Sequence, residues 1–288
     1  MNEREKIDRI AALLGASSAR LGIGDDAAVI DHAGGPLVLT VDEQVEGTHF
    51  DRALLSFEDV GYRATMAAAS DLAAMGANPL GALAAWVLPK DFADADVERI
   101  ARGQRQACDE LGAKVIGGNL ARGPAVSIAT TWIGTCAAPI TRAGAKPGDG
   151  VYLCGALGLA AAGFRALAAR PAGAPLEKRD ASEEAVRAWR RPRALVAEGL
   201  RMARVAHACI DVSDGLASDA GHLARASNVL VRLDGSFDDD ALHGGEDYAL
   251  LCASPVPIEG FTRIGAVETG EGVFVRDRRV VGGFDHFV

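Results

Sequence analysis

Short β-rich runs alternate with longer runs of small and amphipathic residues along this whole sequence, and glycine or proline marks most of the changes. That rhythm confines the chain to an α/β or α+β fold and argues against an all-β one. Residues 37–41 read as a strand behind Gly34, Gly35 and Pro36. Ser56 followed by Asp59 has the form of a capping box, opening a helix that runs to about Met75 and stops at Gly76. Residues 94–111 form a second helix closed by Gly112, and 125–135 a strand followed by Pro139. Past that proline the rhythm restarts. A strand at 151–154, a helix at 156–170 and a surface connection at 170–180 lead into helices at 182–189 and 193–205, parted by Pro192. A strand at 208–212, a helix at 216–226 and strands near 229–233, 248–252 and 273–281 complete the chain. The restart sets a domain boundary close to Pro139, giving domains 1–138 and 139–288.

With 288 residues, 49% of them hydrophobic and 24% charged, the chain has ample material for a core. The formal net charge is −9 and no basic run is present, which excludes a phosphate-neutralising nucleic-acid surface. Residues 72–89 carry no charge and mimic a membrane span, but Gly76, Asn78-Pro79 and Gly81 break them into a helix end, a turn and a strand. No membrane association is expected. The five cysteines are scattered, mostly within apolar runs, and read as buried thiols in a reducing compartment. The first residues lack an apolar stretch behind a basic start, so the expected location is the cytoplasm, without a signal peptide.

The acidic residues fall in unusual places. Asp25 and Asp26 follow Gly24, Asp42 ends a strand, Asp211 and Asp214 bracket Ser213 before Gly215, and Glu246-Asp247 follow Gly244-Gly245. Asp71 lies in a helix of small apolar residues, where an ionised carboxylate is costly unless paired or bound to a cation. Nearby basic residues are too few to pair them all. Divalent metal held by oxygen ligands, with glycine backbone approaching phosphate, accounts for the pattern as a site for Mg²⁺ and a polyphosphate. Each piece also has a plainer reading: Asp25-Asp26 as a turn, Asp214 or Asp219 as a cap on the helix from Leu216, Glu246-Asp247 as a turn entering a strand. The chain has no P-loop, no complete dinucleotide fingerprint, no kinase catalytic loop, no zinc-type histidine pair and no nucleophile elbow.

Six segments in order carry a resemblance: 22–28, 40–50, 70–79, 141–149, 210–219 and 244–248, with the tail 283–287 agreeing as well. Together they resemble the thiamine-monophosphate kinase family, of the superfamily that includes aminoimidazole ribonucleotide synthetase. The resemblance implies a two-domain α+β/α/β fold with an N-terminal mixed sheet whose helices accompany pairing in a homodimer, and a C-terminal α/β domain. It implies ATP-dependent phosphorylation of thiamine monophosphate to thiamine diphosphate with several Mg²⁺ ions and no covalent enzyme intermediate. The first domain would bind ATP and Mg²⁺ and dimerise; the second would complete the nucleotide and substrate sites. Residue by residue, Asp26, Thr40, Asp42, Asp71, Asp211 and Asp214 would be metal ligands, with Asp42, Asp71 and Asp214 carrying the catalytic role. Gly118, Asn119, Arg142 and Ser213 would hold the nucleotide, and His49, Glu246 and Phe284 the thiamine phosphate.

Two departures stand out. Asn119 replaces the aspartate that commonly follows the glycine pair in the family, keeping an oxygen ligand but losing its charge. The stretch between Leu233 and His243 is much shorter than the family's usual insertion, beside the expected substrate residue Glu246. The alternatives are a same-fold ATP-dependent enzyme acting on another phosphorylated or amine acceptor, and a non-catalytic nucleotide-binding homologue. Hydrogenase-maturation and selenophosphate-synthetase chemistry both need cysteines that this chain does not place where required: it ends without one, and its first is Cys108.

Overall fold

The structure, a computed structural model, describes residues 9–10, 12–15, 36–169 and 183–282. Segment 22–28 with Asp26, the connection 170–180 and the tail with Phe284 lie outside the described residues. The fold divides into two compact units: the chain up to Leu72 with Asn78–Ala137, and Ala73–Ala77 with Ala138 onward.

The first unit is built on a four-stranded mixed sheet of β1 (Leu37–Val45), β2 (Asn78–Leu88), β3 (Val115–Arg122) and β4 (Ser127–Thr135), in the order β1-β4-β2-β3. Only the β2–β3 pair is parallel, joined by a crossover that contains a helix. Helix α1 (Phe57–Ala74) begins with the capping box foreseen at Ser56, whose hydroxyl accepts the Asp59 N–H at 3.1 Å and donates to its carboxylate at 2.8 Å. Helix α2 (Asp94–Glu110) packs on α1 backbone to backbone. A Cβ at Gly103 would stand 1.9 Å from the Glu58 carbonyl oxygen, so only glycine fits there.

Three expectations change in this unit. The turn in the uncharged segment falls at Met75-Gly76, while Asn78 and Pro79 are already the first two residues of β2, a position that spares proline a ladder donor. Strand β1 runs on to Val45, four residues beyond the apolar run. Strand β3 was hidden by its glycines, and Gly118 sits in it because a Cβ would meet the Ala84 carbonyl oxygen at 1.9 Å.

The second unit is a seven-stranded sheet of β5 (Gly150–Cys154), β6 (Ala208–Val212), β7 (Leu230–Leu233), β8 (Ala249–Ser254), β9 (Thr262–Glu268), β10 (Gly272–Val275) and β11 (Arg278–Val280). The order is β11-β10-β7-β9-β5-β8-β6, and only β7–β10 is parallel. Strands β6 and β8 are buried along their whole length, although β6 is the last strand of the sheet. The helices are α3 (Leu159–Ala168), α4 (Glu183–Arg190), α5 (Val196–Met202), α6 (Leu216–Ser227) and the single turn α7 (Asp239–His243). Leu216, Ala220 and Leu223 of α6 pack into the core with Ile210, Val231 and Leu251.

Here too boundaries shift. The helix foreseen from 156 starts at Leu159, since Gly155 and Gly158 adopt φ of +104° and +77°. The single strand expected at 273–281 is a hairpin of β10 and β11, turned at Arg276 with φ +55°. Strand β9 and the turn α7 had no expectation. Among the described residues no helix is long and apolar enough to cross a membrane.

Candidate active site

In the first unit the site is set by how α1 lies on β1. Period-two alternation puts Val38, Thr40, Asp42 and Gln44 on the more buried face of the strand, and Leu37, Leu39, Val41 and Glu43 on the open one. The fully buried Arg63 of α1 donates to the Gln44 side-chain carbonyl at 3.1 Å, and eight residues further along the helix Asp71 accepts the Thr40 hydroxyl. Eight helical residues rise about 12 Å and four strand residues about 13 Å, so helix and strand stay in step, running in opposite directions. Asp42 falls midway, level with Ala67, one of the small residues that let the helix approach the sheet. Straight across the sheet from Asp42 stands Thr130, whose buried hydroxyl has no hydrogen-bond partner among the described residues. Thr40 and Asp71 are therefore joined, and Asp42 shares their side of β1, so that all three present oxygen to one face.

His49 sits in the turn after β1. Its Nδ1 accepts the Val45 N–H at 3.1 Å, and its own N–H returns to the Val45 carbonyl at 2.9 Å. That bond puts the proton of the neutral ring on Nε2, a hydrogen-bond donor.

Gly118 and Asn119 lie in β3, at the opposite edge of the sheet from β1. The register runs Asp42, Thr130, Ala84, Gly118 across the four strands. Three strand spacings, about 14 Å, separate Gly118 from Asp42. Asn119 is one residue on and so faces the other side of the sheet, in line with Ala85, Ala129 and Glu43. Within the unit the structure does not bring it to Asp42 and Asp71.

In the second unit, Asp211 is the last but one residue of β6 and is 5% exposed; Ser213, Asp214 and Gly215 turn the chain into α6. Asp219, one turn into α6, reaches back so that its carboxylate accepts the N–H of Ser213 at 3.1 Å and of Asp214 at 3.0 Å. Burial pushes that carboxyl up to about 8, while the two amide bonds act the other way. The cap expected from Asp214 or Asp219 is not formed: the N-cap of α6 is Gly215 with no side-chain cap bond, and Asp219 instead braces the loop ahead of the helix. Ligand-type atoms of Asp214, Asp219 and His222 all lie within 4.8 Å of one another. Arg225 is 3.0 Å from His222 Nδ1, and burial, then Arg225 and Arg142, lower the His222 pKa. Arg142 therefore stands by this cluster, its carbonyl accepting the Ser227 hydroxyl at 2.9 Å.

The glycine–acid segment packs on the same loop. Gly245 has φ +70° and its Cβ position lies 2.6 Å from the Ser213 carbonyl, which also accepts the Glu246 N–H at 2.7 Å. Glu246 itself adopts φ +60°, and Trp189 of α4 donates its indole N–H to the Glu246 carboxylate at 2.9 Å. Asp247 caps α3, accepting N–H bonds from Gly158 at 2.7 Å and Ala160 at 3.1 Å. Sequence reasoning missed Trp189, His222 and Arg225. The spacing Asp219, His222, Arg225 repeats every three residues along one helix face, a signal that could have drawn the last two in.

Two mixed sheets with helices laid on them define a class, the AIR synthase-related fold. The family described as AIR synthase related protein, N-terminal domain, matches residues 24–136. The chain is 35% identical to thiamine-monophosphate kinase of Aquifex aeolicus over 92% of both chains, and 33% identical to that of Escherichia coli K12 over 93% of this chain and 92% of that one. It belongs to the thiamine-monophosphate kinase family. Among solved structures, AaThiL complexed with AMPPCP and TMP matches with a TM-score of 0.82 and 32% identity, covering 99% of this chain and 97% of that one. The thiamine-monophosphate kinase of Stenotrophomonas maltophilia K279a matches at 0.83 and 33%, covering 97% and 98%. The hydrogenase maturation protein HypE of E. coli, at 15% identity and TM-score 0.75, shares the fold.

Proposed function

We propose that this protein is an ATP-dependent kinase that phosphorylates thiamine monophosphate to thiamine diphosphate. One observation carries the reading: a relative complexed with an ATP analogue and TMP shares its fold across 99% of this chain. Thiamine phosphate presents an anionic oxygen as nucleophile, so in-line transfer needs alignment and charge neutralisation rather than a general base. In this reading Arg142 and Ser213 hold the nucleotide's phosphates, with Gly118 and Asn119 also on the nucleotide. His49, as an Nε2–H donor, Glu246 and Phe284 engage the acceptor.

The donor set suits a hard divalent cation: carboxylates, a threonine hydroxyl and, in line with Asp42, the orphaned hydroxyl of Thr130. Asp42, Asp71 and Thr40 in one unit, Asp211 and Asp214 in the other, and Asp26 are the residues that would hold Mg²⁺. When bound, several such ions lessen the repulsion between donor and acceptor phosphates. Residues 1–138 then bind ATP and Mg²⁺ and dimerise, and 139–288 complete the nucleotide and substrate sites. A homodimer is supported by Leu37, Leu39 and Val41, which are 47%, 64% and 62% exposed in a row on the open face of β1. A cytoplasmic location is supported by five free cysteines, four of them buried.

The test is a phosphorus NMR time course with ATP and Mg²⁺, with and without thiamine phosphate. Thiamine diphosphate and ADP appearing together, only when thiamine phosphate is present, is the expected result. Intact ATP in both tubes, with nucleotide binding still detectable, would favour a non-catalytic homologue.

A further inference from the structure

Trp189 has no assigned part in the reaction, yet its position is specific. It is 1% exposed in α4, and a buried indole N–H needs an acceptor. Any backbone carbonyl would serve. The acceptor found instead is the side chain of Glu246, at 2.9 Å. Glu246 is half-buried, so the indole grips its carboxylate from the protein side. The same glutamate is held by its backbone as well, in a left-handed conformation that side chains rarely adopt, with its N–H on the Ser213 carbonyl. Phe164 of α3 lies against the indole with ring centroids 5.2 Å apart, and is itself 44% exposed. Its neighbour Gly163 lets α3 and α4 meet backbone to backbone, since a Cβ there would stand 2.0 Å from the Ala185 carbonyl oxygen. Asp247 fixes the start of α3 to the same segment. Both ends of the Trp189–Glu246 bond are therefore anchored to one rigid assembly.

An indole N–H orients a carboxylate and adds no charge of its own, whereas an arginine in that place would bring one. Thiamine phosphate carries a permanently cationic thiazolium ring and an aminopyrimidine with N–H donors, the chemistry that a fixed, charged carboxylate recognises. We propose that Trp189 is a positioning residue for the acceptor: its indole N–H holds Glu246 in the orientation that meets the cationic heterocycle of thiamine phosphate. Phe164 closes over the indole and keeps it in place. The inference rests on the kinase reading above and on Glu246 as the acceptor's contact.

Steady-state kinetics on the full-length enzyme test it, with Trp189→Phe as the variant that keeps an aromatic filler and removes the donor. The expected result is a rise of about tenfold in KM for thiamine phosphate, the loss of one hydrogen bond to a charged group. The kcat and the KM for ATP should stay within about twofold. In a Glu246→Gln background the same substitution should change KM less than about twofold, because its partner's charge is already gone. A KM for thiamine phosphate unchanged in Trp189→Phe would overturn the inference while leaving the kinase reading intact. So would equal losses in the two backgrounds. Should Trp189→Phe fail to fold, Trp189→Met is judged by the same three numbers. A wild-type protein with no thiamine-phosphate-dependent turnover and no heat of thiamine phosphate binding would overturn both readings together.

Discussion

Asp71 shows what a single carboxylate can reveal. Surrounded by Ala67, Ala68, Ala69 and Ala73, it has no local reason to be there, and its half-buried side chain takes the Thr40 hydroxyl from the neighbouring strand. Asp71→Asn keeps the shape and removes the charge. Turnover should fall by about a thousandfold or more while the melting temperature stays near that of the wild type, because the lost group acts on phosphate and metal rather than on packing. Retained turnover in that variant would sink the metal assignment. Asp219 teaches the opposite lesson. It is a buried acid beside the expected ligands, and one of its carboxylate oxygens accepts two backbone N–H groups of the loop carrying Asp214. A buried acid can build the site without being the ligand.

Among the elements, the matched rise of α1 and β1 and the clip at 246–247 position the candidate residues. Successive acids on one segment tie down two helices: Glu246 through Trp189 of α4, Asp247 through the first turn of α3. The Asp247 clip makes a pH prediction. Burial, opposed by the two amide bonds, raises its carboxyl from the ordinary 3.8 to about 6. The folded state therefore holds this proton more tightly than the unfolded chain. The group's contribution to stability is fully present below pH 3.8, declines as pH rises, and is gone above about pH 6. The shift corresponds to roughly 3 kcal/mol as an upper bound. Asp247→Asn cannot titrate. Urea unfolding at pH 4 and pH 7 should show wild type losing stability relative to the variant across that interval, and parallel behaviour of the two proteins would remove the assignment.

For the whole molecule, the open face of the first unit's sheet is the feature that bears on assembly. Leu37, Leu39 and Val41 face outward beside Thr135, Ile133 and Thr131 of β4. Leu39→Glu should convert a dimer to a monomer in light scattering at micromolar concentration, since a charge in the middle of a paired apolar face is left desolvated and unpaired. An unchanged mass would remove this face as the interface of the proposed dimer. Asn119 faces this same side of the sheet, in line with Glu43 rather than with Asp42.

Much of this could be read from the chain. The capping box at Ser56, the stop at Gly76, the fully buried strand Ala208–Val212 and the carboxylates placed beside glycines are local signals, because caps, turns and periodicity act within a few residues. The six segments in order carried the family. Other features were not legible. Gly118 carried no strand expectation and is a strand glycine, required by a carbonyl on β2. Segment 273–281 reads as one strand and folds as two. Which face Asn119 takes and which tryptophan meets Glu246 depend on contacts between residues tens of positions apart. Local chemistry determined the elements and the kind of ligand; only the packing of distant segments decided which side chains share a face, because that is set by register and helix docking rather than by neighbours in sequence.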